Sequence, residues 1–255
     1  MPKEETSWGS EAFWYDSHLA GGDTYHEKVI LPNLLRALGS LGKKKIIELG
    51  CGQGYFSEHF AREGATVTAT DISEELIAIA KKRNRKEDNP RYAVAPAHQI
   101  TIAESNTYDI AVIVLALQNI KELEETFKEC RRVLKQRGKI AFVINHPSFR
   151  IPQESSWGFD EENSIQYRRI DSYLSESTSK IDMHPGSSKK SFTVSFHRPL
   201  QVYVKMLTKN GFGITRLEEW ISHRKSQNGP RGKAEDHSRK EIPLFMYIEA
   251  SSIYE

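Results

Sequence analysis

Two kinds of apolar pattern alternate along the first 145 residues of the chain. Lys45-Ile46-Ile47-Glu48-Leu49 is a short β-branched run that ends in a glycine cluster, and it reads as a buried strand. From Tyr55 to Glu63 the apolar residues fall at helical spacing, with Phe56 and Phe60 on one face. Thr66 to Asp71 (TVTATD) reads as a second strand. Ser73 then offers an N-cap, and Glu74 and Glu75 sit in the positive first turn of a helix through Ile77, Ala80 and Lys81. That helix is expected to dissolve into the basic run Lys82-Arg83-Asn84-Arg85-Lys86, read as a solvated helix end. Arg91 to Ala95 is a short third strand. Tyr108 to Leu115 (YDIAVIVL) is almost continuously apolar, which suits a central parallel strand buried on both faces. Leu123, Phe127, Cys130 and Leu134 recur at helical spacing, Gly138 reads as the helix stop, and Lys139 to Ile144 (KIAFVI) is the fifth strand.

This rhythm predicts an α/β fold, an open and doubly wound parallel sheet with right-handed crossovers. In such sheets a ligand lies beyond the carboxyl ends of the strands, where strand order reverses. The positions of interest therefore follow Leu49, Thr70, Ala95, Leu115 and Ile144. After Asn145 the rhythm breaks. His146 to about Lys190 holds Pro147, Pro152, Trp157, Gly158, Pro185 and Gly186, too long for a plain loop, so residues 146–198 are expected to form a substrate lid. Ser191 to Phe196 reads as a strand, Leu200 to Asn210 as a helix stopped by Gly211, and Ile214 to Trp220 and Leu244 to Ala250 as two further strands. The charged stretch Ser222 to Lys240 between them reads as an exposed hairpin connection. Residues 1–30, with Phe13-Trp14-Tyr15, are expected to be an N-terminal flap or helix within a single domain spanning 1–255.

Composition narrows the classes. The chain has 255 residues, 38% hydrophobic, with a mean hydropathy of −0.57, enough for one substantial core. No apolar run approaches the roughly 18–20 residues of a membrane helix. The start MPKEETSWGS lacks the apolar stretch of a secretory signal, so the expectation is a cytoplasmic protein without a membrane segment. Two cysteines, Cys51 and Cys130, make neither a disulfide framework nor a metal-ligand cluster, and no metal is implied. With 36 basic and 34 acidic residues the net charge is +2, short of the basic excess of a dedicated nucleic-acid binder. Oligomeric state is not legible.

The strongest local signal is Glu48-Leu49-Gly50-Cys51-Gly52-Gln53-Gly54. A dinucleotide fingerprint G-x-G-x-x-G fails, because the third glycine position is Tyr55 counted from Gly50 and Ser57 counted from Gly52. A phosphate loop fails because no lysine follows Gly54. What remains is E-x-G-x-G-x-G. Together with VTATDIS, YDIAVIVLALQNI and CRRVLKQRGKIAFVI, the stretch IIELGCGQGYFS resembles the ordered motifs of class I S-adenosylmethionine-dependent methyltransferases. The resemblance covers about Ile30 to Ile144 and is nearest the broad group that includes the ubiquinone-pathway and type 11 methyltransferases.

The resemblance implies a Rossmann-like, mostly parallel seven-stranded sheet with the lid inserted after the fifth strand, and S-adenosyl-L-methionine as cofactor. By the same resemblance Glu48 meets the cationic amino end of the cofactor, and Gly50, Gly52 and Gly54 admit its methionine and ribose portions, with Cys51 a small filler in the turn. Asp71 accepts from both ribose hydroxyls, Ile72 packs on the adenine, and Ala97 offers its backbone N–H to the adenine edge. Leu115 and Ala116 line the methyl-sulfonium end, with Gln118 nearby, and Tyr25 or His26 covers the cofactor carboxylate. One departure stands out: Pro96 occupies the place where the family commonly has an acid, so the adenine amino contact is lost or comes from elsewhere, His98 being the candidate.

Methyl transfer from sulfonium needs the acceptor lone pair about 3 Å from the methyl, and an oxygen or ammonium acceptor needs a base. Three histidines are candidates: His146 directly after the fifth strand, His197 ahead of Arg198 and Pro199 at a helix start, and His184 in the lid. Each has the alternative role of satisfying a backbone group. Arg150, Trp157, Tyr167, Arg168 and Arg198 are the candidate acceptor-binding residues, since guanidinium and aromatic groups suit a planar or carboxylate-bearing small molecule. The alternative is that the lid aromatics form their own small core. The expected function is methyl transfer to O or N of a small molecule. A methyltransferase acting on RNA or protein is the second reading, although Leu117-Gln118-Asn119-Ile120 is not the N/D-P-P-Y/F tetrapeptide of base N-methylation. A non-catalytic cofactor-binding module, argued by Pro96 alone, is the third.

Overall fold

The computed structural model describes residues 22–84, 88–182 and 192–253. Phe13-Trp14-Tyr15, His184, and Arg85 and Lys86 of the basic run lie outside these residues.

A π-helical turn, His26–Ile30, leads into α1 (Leu31–Leu38). The alternation that follows is the expected one: β1 (Lys45–Leu49), α2 (Tyr55–Arg62), β2 (Thr66–Asp71), α3 (Glu74–Arg83), β3 (Arg91–Val94), β4 (Tyr108–Val114), α4 (Leu123–Val133) and β5 (Leu134–Asn145). Ser73 caps α3 as anticipated, its hydroxyl accepting from the Leu76 N–H at 3.1 Å. Two more strands, β10 (Phe212–Trp220) and β11 (Phe245–Ser252), complete a seven-stranded sheet ordered β10-β11-β5-β4-β1-β2-β3. β1 through β5 are mutually parallel, and β11 runs antiparallel to both β5 and β10.

The sheet is buried from both sides because successive residues point to opposite faces. Ile46 faces a layer built on Leu34, Phe60 and Tyr247, while Ile47 next to it faces Phe127, Phe142 and Leu207. β4 has no exposed position, which is why it reads as one apolar run. Strand order reverses between β1 and β4, so the crevice beyond their carboxyl ends is the ligand position of this topology.

Two expectations need correction. Gly138 is not the end of α4, which stops at Val133. β5 begins at Leu134, and its register steps from Leu134 opposite Tyr108 to Lys139 opposite Ile110, so residues 135–138 bulge out. The 222–240 connection is not a plain hairpin: it holds α6 (Gly232–Glu241), whose GKAEDHSRKE sequence has no apolar face to announce it. α6 is anchored instead by polar bonds, the Ser238 hydroxyl donating to the Gln166 carbonyl at 2.6 Å and Asp236 accepting from the Ser226 N–H at 2.7 Å.

The 146–198 insertion is built of two hairpins. β6 (Ser155–Asp160) pairs with β7 (Ile165–Ile170), and β8 (Ser177–Asp182) pairs with β9 (Phe192–His197), both antiparallel. The Ser191 to Phe196 strand thus lies outside the central sheet. β9 runs through Pro199, the N-cap, into α5 (Leu200–Lys209), which ends one residue earlier than expected, with Asn210 as its cap ahead of Gly211.

Candidate functional site

A cavity of about 300 Å³ opens at the switch point. Its floor is the β1 loop, Gly50 and Gly52, together with Asp71 at the end of β2 and Val114 to Ala116 at the end of β4. Ile72, Leu76 and the segment Ala95 to His98 close one side, and Asn119 to Glu122 close another. Thr193, Val194 and Phe196 of β9 form the roof.

The three glycines all have left-handed backbones, with φ of +67°, +56° and +86° at Gly50, Gly52 and Gly54. Protein packing as well as ligand access fixes two of them. A Cβ on Gly50 would stand 2.5 Å from the Ala116 Cβ, and one on Gly54 would run into the Tyr92 ring. Gly50 therefore lets the β1 and β4 loops meet at the cavity floor, whereas Gly54 packs behind it and begins α2.

Asp71 ties the floor together. Its carboxylate accepts from the Gly52 N–H at 2.8 Å and from the Ser73 N–H at 2.9 Å. Burial pushes its carboxyl above the ordinary value, and those two backbone donors oppose the rise. One lone pair on each oxygen is used, which leaves acceptor capacity on a residue that lines the cavity. This is the acceptor chemistry a vicinal diol requires, and the flanking Ile72, Leu76 and Ala97 are the apolar surfaces a nucleobase requires. The site fits the nucleoside half of S-adenosylmethionine.

Leu115 holds a left-handed conformation, φ +52°, which costs about 1–2 kcal/mol for a branched side chain. The strain is held by its N–H donating to the Val143 carbonyl at 2.8 Å and its carbonyl accepting from Gln118 Nε2 at 2.7 Å. Gln118 thus shapes the floor from behind and is not on the cavity wall.

Glu48 also lies behind the wall. It is fully buried, its carboxylate accepts from the Ser57 hydroxyl, and its pKa is raised to about 8. Burial is the main cause; the Ser57 bond opposes it and the negative charge of Asp71 adds to it. Cys51 is buried, and burial pushes its thiol well up, which suits a filler and not a nucleophile.

The two described histidine candidates sit outside the cavity lining. His146 is buried at the end of β5, where Nδ1 accepts from the Ser148 N–H at 3.2 Å. That leaves the proton on Nε2, which meets Glu219 Oε1 at 2.7 Å, so both ring nitrogens are committed. Burial lowers the His146 pKa, with Glu219 working against it. His197 donates from Nε2 to the Tyr173 carbonyl at 2.8 Å, and the Tyr173 hydroxyl in turn accepts from the Leu200 N–H at 3.0 Å. The histidine that does line the cavity is His98, with Nδ1 3.9 Å from Glu122 Oε2.

Arg198 is 6% exposed and touches no cavity space. It donates to the carbonyls of Leu117 at 3.3 Å, Ile120 at 2.8 Å and Lys121 at 2.9 Å, and its guanidinium lies 5.1 Å from the Phe196 ring. It therefore fastens the β9 roof to the wall after β4. Arg168 donates to the carbonyl of Phe149 at 2.8 Å and to the Ser155 hydroxyl at 2.7 Å, with Trp157 5.3 Å away. Tyr167 is on the outward face of β7, its ring covering Gly158. Tyr25 is on neither wall: its hydroxyl bonds Ser222 at 3.3 Å, and its ring meets His223 and Phe245 edge-on.

Sequence reasoning missed the wall formed by Asn119 to Glu122, and it expected a lid from 146–198 without singling out Thr193, Val194 and Phe196 as the residues that reach the cavity. The first lacks any glycine or acid at a recognised spacing. The second depends on a hairpin that folds back some 80 residues after β4, a separation no local pattern encodes.

Comparison with known proteins agrees with this geometry. The family model of the methyltransferase domain matches residues 47–142. A ubiquinone biosynthesis O-methyltransferase of Acinetobacter baumannii (strain ACICU) is 25% identical over 134 residues, 51% of this chain and 56% of the relative. One from Coxiella burnetii (strain Dugway 5J108-111) is 30% identical over 112 residues, 44% of this chain and 47% of the relative. The chain spans about half the length of the curated relatives it matches. Among solved structures, an S-adenosylmethionine-dependent methyltransferase from Mesorhizobium loti superposes with a TM-score of 0.69 at 25% identity, covering 86% of this chain and 96% of that one. One from Clostridium acetobutylicum shares the fold with a TM-score of 0.63 at 16% identity, covering 96% and 98%. Residues 47–142 match the methyltransferase-domain model of the type 11 group, and the chain around them has the class I S-adenosylmethionine-dependent methyltransferase fold.

Proposed function

We propose that this chain transfers the methyl group of S-adenosylmethionine to an oxygen or nitrogen of a small-molecule acceptor. The observation that carries the reading is the Asp71 carboxylate, tied to Gly52 and Ser73 and lining a cavity between bare loop backbone and apolar walls. When bound, the cofactor supplies a methyl activated on a positively charged sulfur.

The chain's own residues bind, orient and exclude water. Asp71 holds the ribose diol, and Ile72, Leu76 and Ala97 sandwich the adenine. Glu122, facing the same side as Ala97 and His98, supplies an acid where Pro96 removes one. The left-handed Leu115 and the adjoining Ala116 shape the end of the cavity nearest β4. The β9 roof, locked by Arg198, keeps water out, and a roof this close favours a small acceptor over a polymer. His146 and His197 act in this reading by holding the ends of β5 and β9.

The test has two readouts. Calorimetric titration with S-adenosylhomocysteine is expected to give one site per chain. Transfer of radiolabelled methyl from S-adenosylmethionine to a panel of small phenols, amines and carboxylic acids is expected to label at least one. Absence of binding would overturn the cofactor reading, and labelling of RNA or protein in place of the panel would overturn the acceptor class.

A further inference from the structure

Beyond the end of β5 the structure gathers positive charge that no carboxylate answers among the described residues. Arg150 follows β5 by five residues, its N–H donating to the His146 carbonyl at 2.8 Å. Its guanidinium is partly buried, and among the described residues it makes no hydrogen bond or ion pair. Burial and the charge of Arg168 both lower its pKa, while the Tyr25 hydroxyl acts in the other direction. Arg224 adds a second guanidinium, 4.8 Å from the Tyr25 ring and without a carboxylate partner among the described residues.

The nearby acids are already taken. Glu219 is on His146 Nε2 at 2.7 Å, and Asp23 is on His223 at 2.9 Å. Arg168 is spent on backbone and the Ser155 hydroxyl. A half-desolvated cation without a partner is unfavourable, so its retention calls for an anion supplied from outside.

The placement says where that anion comes from. Tyr25 sits 5.6 Å from Phe245, which pairs with Asn145 at the last position of β5. The cluster therefore stands over β5 and β11, on the same sheet end as the cavity. Leu115, at the near wall, directly follows β4, the neighbour of β5. One or two strand spacings amount to about 5–10 Å, the span of a single substituted ring. Resting on the function proposed above, we infer that Arg150 is the specificity residue of the acceptor site and pairs with a carboxylate carried by a ring-sized acceptor. The planar guanidinium suits such a group in a bidentate way.

The experiment compares benzoate with benzamide, its neutral isostere, by ligand-observed NMR titration, with and without saturating S-adenosylhomocysteine. Wild-type protein is expected to bind benzoate about tenfold more tightly, and Arg150→Met to bring the two within about twofold. Arg150→Lys keeps the charge without the fork and is expected to retain part of the preference. Thermal melting confirms that each variant folds. Equal affinity for the two probes in wild-type protein, or a preference that survives Arg150→Met, overturns the inference. The affinity for S-adenosylhomocysteine is expected to be unchanged by Arg150→Met. A loss of about tenfold there would assign the guanidinium to the cofactor's own carboxylate and overturn the acceptor assignment. Failure of wild-type protein to bind S-adenosylhomocysteine would overturn the proposed function, while the benzoate preference measured without it still decides the role of Arg150.

Discussion

Replacing Glu48 by Gln exchanges a buried ionisable group for a neutral isostere that still accepts from Ser57. The folded-state pKa of Glu48 is about 8, against an ordinary 4.5. Between those values the folded chain keeps a proton that the unfolded chain has released. Folding then takes up a proton, so the Glu48 contribution to stability falls as pH rises across the window and is fully lost above about pH 8. Each pH unit is worth about 1.4 kcal/mol, so the whole window is worth about 5 kcal/mol. Urea denaturation of the ligand-free protein at pH 5 and pH 9 measures this. At pH 5 the two proteins are expected to differ by about 1 kcal/mol or less, and at pH 9 Glu48→Gln is expected to be the more stable by several kcal/mol. A difference that is the same at both pH values would refute the desolvation argument and place the carboxylate in contact with solvent or a fixed cation.

Asp71→Ala removes the acceptor for two backbone N–H groups and for the diol, and is expected to weaken S-adenosylhomocysteine binding by about 1–3 kcal/mol in calorimetry. Arg198→Met removes three hydrogen bonds and leaves the Ile120 carbonyl without a donor, while those of Leu117 and Lys121 keep the N–H groups of Ile120 and Leu123, and urea unfolding is expected to register a loss of roughly 1–3 kcal/mol together with a raised KM for S-adenosylmethionine. His146→Gln and His197→Gln are each expected to retain the pH dependence of kcat, since neither ring lines the cavity. Loss of the limb that rises with pH on the acid side of the pH–rate profile in either variant would restore that histidine as the general base.

The sequence was informative where one local pattern carries both structure and chemistry. The β4 run had to be apolar throughout because both faces are covered, and the glycines after β1 had to be glycines because their backbones are left-handed. Asp71 was legible for the same reason, as the polar residue that ends a buried strand. The histidines were misleading because position along the chain gives the sheet end but not the direction of a ring. His146 and His197 do stand near the ligand side, yet each ring is turned toward Glu219 or the Tyr173 carbonyl. α6 was hidden because a helix held by polar contacts to a hairpin has no apolar period to display. Glu122 was hidden because its proximity to His98 arises from packing between two loops and not from spacing.

The bond between Ser238 and the Gln166 carbonyl joins positions 72 residues apart, and Arg231 reaches Glu161 on the same hairpin. During synthesis the β6–β7 ribbon leaves the ribosome well before the helix that steadies it. At roughly 5–20 residues per second, several seconds pass in which the ribbon has no clamp. A chain truncated before residue 232 lacks both α6 and β11, so the ribbon loses its clamp and β10 loses its partner in the sheet.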